Sequence, residues 1–194
     1  MMRTLIVLTA LIVIAAPAVA GVESGDVLLT GNVSYVFGTT DVTDESVDGT
    51  GFGFMIEQLA GDANFSFGFA MAYASKSDET IQLNETIRRT ITTWPIYFGC
   101  KYWHGNGDFQ LYIGAFLGAY FSTLETTNVT TGEPSSKISI DGAGLGVPVG
   151  FAFSFTRRFF LNTNYTLNWL WDDTFLKNNI LSAVNVGLGI NFGG

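Results

Sequence analysis

The segment Val184 to Phe192 sets Val184, Val186, Leu188, Ile190 and Phe192 on one face of a strand and Asn185, Gly187, Gly189 and Asn191 on the other. Successive side chains of a strand point to opposite sides, so one face is wholly apolar and the other small or polar. A soluble barrel would turn the apolar face inward. The residues opposite it here are too small or too polar to fill such a core, and the alternation is that of a strand whose outer face meets lipid. The same parity recurs upstream. Phe65, Phe67, Phe69, Met71 and Tyr73 oppose Ser66, Gly68, Ala70, Ala72 and Ala74, and Leu161, Tyr165, Leu167 and Trp169 oppose Asn162, Asn164, Thr166 and Asn168.

Period-two reading predicts eight strands: Val27 to Phe37, Gly51 to Leu59, Asn64 to Ser75, Ile87 to Tyr102, Phe109 to Thr123, Lys137 to Phe155, Phe159 to Trp169 and Ile180 to Phe192. Strands two and three, four and five, and six and seven are joined by short Gly-, Asn- or charge-bearing turns at 60–63, 104–108 and 156–158. The connections at 38–50, 76–86, 124–136 and 170–179 are longer and polar. Short turns on one rim and long loops on the other predict an all-β chain, an eight-stranded antiparallel up-and-down transmembrane β-barrel with its long loops outside the cell. Trp94, Phe121, Trp169 and Trp171 are expected at the outer interfacial girdle, and Tyr102, Trp103, Phe109, Phe155 and Phe159 at the inner one. Pro95 and Pro148 fall inside predicted strands, where each removes a ladder donor and calls for a bulge or a break in regular pairing.

The first twenty residues read as a cleavable signal peptide: Arg3 in the n-region, Leu5 to Ile14 as the apolar h-region, and Ala18-Val19-Ala20 before the cut. Residues 21–194 then form one domain, the barrel. Only 13% of the residues are charged while 47% are hydrophobic, against roughly 25% charged in ordinary globular domains, so much of the surface faces something other than water. Loss of Arg3 leaves 8 Lys and Arg against 17 Asp and Glu, a mature charge of −9. That charge argues against a nucleic-acid partner.

The run Thr93-Trp94-Pro95-Ile96-Tyr97-Phe98-Gly99-Cys100-Lys101-Tyr102, followed by Phe109 to Tyr120, resembles the central hairpin of the eight-stranded outer-membrane β-barrel family that includes the OmpX, Opa and OmpA transmembrane types. The resemblance implies a porin-like cell-surface protein in the outer membrane of a Gram-negative bacterium. It also implies a role in adhesion, defence or membrane integrity, carried by the extracellular loops and not by catalysis. Outer-membrane lipid and lipopolysaccharide are the expected surroundings, with an extracellular protein or surface ligand at the loops and a monomeric state.

The residues themselves argue against an enzyme. His104 is the single histidine and belongs to a short inner-side turn, so no imidazole-based triad forms at the outer rim. One His and one Cys, Cys100, make no familiar metal cluster, and no cofactor site is expected. The acidic loop residues Asp41, Asp44, Glu45, Asp48, Asp78 and Glu79 fit no ordered cation loop. Two charges have inward parity at similar depth on strands that do not neighbour each other. Glu57 and Lys101 are therefore expected to meet across the lumen as a structural ion pair. Met55, Tyr112, Phe116, Tyr120 and Phe160 also point inward and favour a filled interior, since an eight-stranded barrel is just wide enough for side chains. The alternative function is a small-solute pore. A lipocalin-like carrier would need the Phe-rich parity reversed.

Overall fold

Strands can enter lipid only when every backbone N–H and C=O is paired, which requires a sheet without edges. The computed structural model describes residues 25–39, 46–60, 64–82, 85–132, 134–171 and 179–193. It contains β1 (Val27–Thr39), β2 (Ser46–Ala60), β3 (Phe65–Gln82), β4 (Glu85–Asn106), β5 (Phe109–Asn128), β6 (Pro134–Ser154), β7 (Phe159–Trp171) and β8 (Asn179–Asn191). Each strand pairs antiparallel with its neighbours in sequence, and β8 returns to β1 from Leu28↔Asn191 to Thr39↔Ile180, closing the barrel. The expected signal peptide, 1–20, and loop positions 40–45 and 172–178 lie outside the described residues.

The faces follow the predicted parity. Phe98 and Leu188 are 66% and 68% exposed on the wall, whereas Tyr112 and Tyr120 inside are at 0%. Aromatic pairs mark both rims, with Phe65 and Tyr102 at 5.1 Å near the short turns and Tyr73 and Trp94 at 4.6 Å toward the long loops. Trp103 leaves the inner girdle in which it was expected and is buried in the lumen at 2% exposure. It lies two residues from Lys101 and shares its inward parity. In the β4–β5 turn Gly105 and Gly107 take φ of 137° and 64°, where a side chain would be strained.

The prolines are accommodated without a bulge. The β3–β4 ladder passes from Met71↔Ile96 to Ala74↔Thr93, and the β5–β6 ladder from Ile113↔Val149 to Phe116↔Gly146, each losing rungs but keeping register. On their other sides Pro95 still opposes Tyr120 and Pro148 opposes Thr166. A strand N–H serves only one neighbour, so its loss stays on one side. The register shift in the β5–β6 ladder lies instead at Thr126/Thr127.

The strands outrun the predicted boundaries at the long-loop end. β3, β4, β5 and β6 have 18, 22, 20 and 21 residues against 13 or 15 for the others, and they carry pairing deep into the expected loops 76–86 and 124–136. Above the membrane there is no lipid to impose an apolar outer face, so the parity that revealed the strands fades there. The pairing is held by polar partners: Ser77 Oγ lies 2.8 Å from Thr90 Oγ1, Arg88 bonds Glu79, and Lys137 Nζ lies 2.6 Å from a Glu125 oxygen.

Candidate functional site: a closed lower lumen beneath an open vestibule

The lumen has two halves, and the lower one is built around the predicted charges. Glu57 rises from β2 and Lys101 from β4, with β3 between them. β3 contributes Ser66 and Gly68 at that level, through the pairs Glu57↔Gly68 and Ser66↔Lys101. The missing side chains make the space. A Cβ at Gly68 would come 2.7 Å from Glu57 Cγ, and one at Gly114 would come 2.9 Å from Lys101 Cγ.

Lys101 Nζ lies 2.7 Å from Glu57 Oε2, and both side chains are 1% exposed. Ser66 donates to Glu57 Oε1 at 2.7 Å, and Trp103 Nε1 donates to Ser66 Oγ at 2.9 Å. The ammonium also sits 4.3 Å from the Tyr112 ring centroid and 5.3 Å from that of Trp103, within cation–π range. Tyr112 in turn donates to Asn162 Oδ1 at 2.5 Å. Leu28, Leu59, Ala152 and Phe160 pack below this network, with Asn191 Nδ2 bonded to Asp26 at 2.7 Å near the inner rim. A buried charge is tolerated when paired and hydrogen-bonded. Sequence parity located the two charges and the occluding Tyr112 and Phe160; it missed Ser66 and Trp103 as their partners.

Above Lys101, Met55 and Phe116 the lumen opens into a cavity of about 550 Å³ that continues up the concave face of the projecting β3–β6 sheet to Arg89 and Ile138. Its walls differ chemically. On the β7–β8–β1 side Ser34 donates to Asn185 Oδ1 at 2.6 Å, Asn185 Nδ2 donates to Asn164 Oδ1 at 2.7 Å, and Thr166 donates to Asn164 Oδ1 at 2.8 Å. The facing wall carries Ala70, Ala72, Pro95, Tyr97, Phe116 and Tyr120. At the mouth, above the Tyr73 and Trp94 girdle, Lys76 Nζ lies 2.7 Å from Asp78 and 3.3 Å from Asp48. Burial pulls the Lys76 pKa down, but bonding to Asp78 and Asp48 and their charges outweigh it, so the pKa is raised.

His104 lies near the lower end of β4, opposite Leu111, far from the outer mouth. Among the described residues no group of three or more His, Cys, Asp or Glu could hold a metal ion.

The profile described as "Outer membrane protein beta-barrel domain" matches residues 6–192. No curated protein sequence matches the chain. Among solved structures, the chain is similar to Ail, the attachment invasion locus protein of Yersinia pestis, in complex with the heparin analogue sucrose octasulfate. That match has a TM-score of 0.63 and 14% identity, covering 88% of this chain and 100% of Ail. Neisserial surface protein A follows at TM-score 0.60 and 16% identity, with 87% and 100% covered. OprG, an outer membrane protein of Pseudomonas aeruginosa, matches at TM-score 0.55 and 16% identity, with 91% and 100% covered. At these identities the likeness is one of fold.

Proposed function

Because the chain belongs to the outer membrane β-barrel domain family and sits in the outer membrane of a Gram-negative bacterium, we propose that it is a surface-interaction protein without catalytic activity, its projecting β3–β6 sheet forming the contact surface. The observation that carries this reading is the pair of sheet edges that run past their neighbouring ladders. The β2–β3 ladder ends at Thr50↔Ser75, yet β3 continues to Gln82; the β6–β7 ladder ends at Ala143↔Trp171, yet β6 begins at Pro134. Among the described residues, 76–82, Pro134 and 136–142 have a ladder partner on one side only. Among the described residues no second ladder covers these edges, and an uncovered edge is a template for an extended segment of another protein.

The sulfated analogue bound by Ail suggests one class of partner, but the charges here favour another. Arg88 and Lys137 are each engaged by a carboxylate of the same sheet, and the chain is acidic, so a protein segment suits this surface better than a polyanion. The packed lower lumen supports a closed barrel, with the Glu57–Lys101 pair structural in role and the protein monomeric. Residues 1–20 direct export and are removed, which N-terminal sequencing of the mature protein checks by starting at Gly21.

The test compares cells displaying the intact barrel with cells displaying one in which 77–90 and 125–136 are each replaced by a short turn. Retention on surfaces coated with extracellular-matrix protein should fall to background with the trimmed barrel, while its heat-modifiable gel migration persists. Equal retention of both, together with single-channel conductance from the intact protein, would transfer the assignment to a small-solute pore.

A further inference from the structure

We infer that the vestibule is a binding site for a small uncharged amphipathic molecule, an apolar body carrying an amide or hydroxyl head, that enters from the outer face. Its volume of about 550 Å³ falls within the range of small-molecule pockets, which pair extensive apolar walls with a few placed polar groups. The apolar body lies against Ala70, Ala72, Tyr97 and Phe116, where an empty vestibule would hold water against aromatic and methyl surface.

The head is read by the opposite wall. Asn164 Nδ2 reaches Asn162 Oδ1 and Asn168 Nδ2 reaches the Leu181 carbonyl, each at a long 3.4 Å. An amide nitrogen carries two N–H groups; Asn164 also bonds Tyr112, whereas Asn168 keeps donor capacity for a ligand carbonyl or hydroxyl.

Charge selects against ionic heads. The polar wall is made of neutral amides and hydroxyls. The ammonium beneath, Lys101, is matched by Glu57 at 2.7 Å, and the one at the mouth, Lys76, by Asp78 and Asp48. Arg89 and Asp78 stand higher on the concave face, on paired positions of β3 and β4, and Arg89 is exposed to water. An ionised head lowered between the asparagine wall and Phe116 would lose its water without gaining a counter-ion. The surface-interaction reading plays no part in this argument.

The experiment uses three probes with one ring system: naphthalene-2-carboxamide, naphthalene-2-carboxylate and 2-naphthylmethylammonium. Each is titrated by calorimetry into the full-length refolded barrel in lipid nanodiscs, with empty nanodiscs as the blank. The carboxamide should bind saturably at one per barrel, and the two ions about tenfold more weakly or not at all. Ala72→Phe, which fills the apolar side, should abolish carboxamide binding, and Asn168→Ala should weaken it about tenfold. Leu188→Ala on the lipid face should leave it unchanged. Heat-modifiable migration establishes that each variant is folded; if Ala72→Phe is not, Ala70→Leu replaces it. Absence of saturable binding above the blank, equal binding of the three probes, or undiminished binding by a folded filled variant would each overturn the inference. Trimming the projecting sheet at 77–90 and 125–136 tests the other reading separately.

Discussion

The two halves of the lumen begin within the same eight-stranded wall, yet one is packed and the other open. β2 displays the cause along a single strand. Its inward positions run Gly49, Gly51, Gly53 in the upper half and Met55, Glu57, Leu59 in the lower. The strand number fixes how much space the wall encloses, so side-chain volume alone decides whether a level is sealed. A barrel of this size can hold a plug and a pocket on one axis with no change in backbone.

The strongest way to break this comparison is to disturb the charge at the centre of the plug. Lys101→Met should destabilise the barrel by about 3 to 5 kcal/mol by leaving Glu57 buried without a counter-ion, and the double change Glu57→Gln with Lys101→Met should cost less than Lys101→Met alone. Denaturant unfolding in lipid vesicles provides both values. Additive single effects would mean that water reaches the pair, and the lower half would no longer count as dry.

A packing contrast sharpens the same point. Phe160→Ala, in the plug, should cost about 3 kcal/mol through the cavity it leaves. Ala72→Leu, which enlarges a side chain in the vestibule, should change stability by less than about 1 kcal/mol. Similar costs at the two sites would show that the vestibule is packed after all.

The outer wall should not repeat the inner contrast, since lipid surrounds both halves. Phe67→Arg and Leu188→Arg should each cost about 2 to 4 kcal/mol, whereas Ile81→Arg, 78% exposed on the projecting sheet, should stay within about 0.5 kcal/mol. Equal sensitivity at all three positions would misplace the membrane.

The smallest effect lies at the vestibule mouth. Lys76 has a raised pKa, so its contribution is fully present below the ordinary lysine value of 10.5 and is lost as pH climbs through the higher folded value. Asp48 and Asp78 are about half exposed, which keeps the effect under about 1 kcal/mol. The stability gap between the natural protein and Lys76→Met should hold at neutral pH and close in strongly alkaline solution. A gap that persists there would assign the role of Lys76 to packing.

The strands and their order were legible because lipid imposes one rule on every residue of the wall, and the Phe at 65, 67 and 69 obey it as visibly as Val184 to Phe192. Where lipid stops, the rule stops. The end of β3, 76–82, therefore passed for loop, although it pairs with 85–91 of the neighbouring strand. Inside the lumen, parity was enough to bring Glu57 and Lys101 to one place. It could not rank their neighbours, because hydrogen bonding across a lumen depends on the stagger between strands, which alternation does not encode. Trp103 shows the cost: its aromatic character suggested the girdle, while its parity with Lys101 put it inside. The vestibule was hidden for a related reason, since its polar side joins Asn164, Asn185 and Ser34 from three strands scattered along the chain.

The seam between β1 and β8 bears on how the molecule comes into being and how long it lasts. Its bond from Ser34 to Asn185 spans 151 residues of sequence, so the chain must pay nearly the full entropy of ring closure before the last ladder returns anything. Assembly is accordingly slow at its final step, and a half-zipped sheet would expose two raw edges to hydrocarbon. Once shut, the seam can part only by breaking many rungs together in a medium that offers them no replacement. The finished barrel is therefore protected less by its depth in free energy than by the height of the barrier that leads out of it.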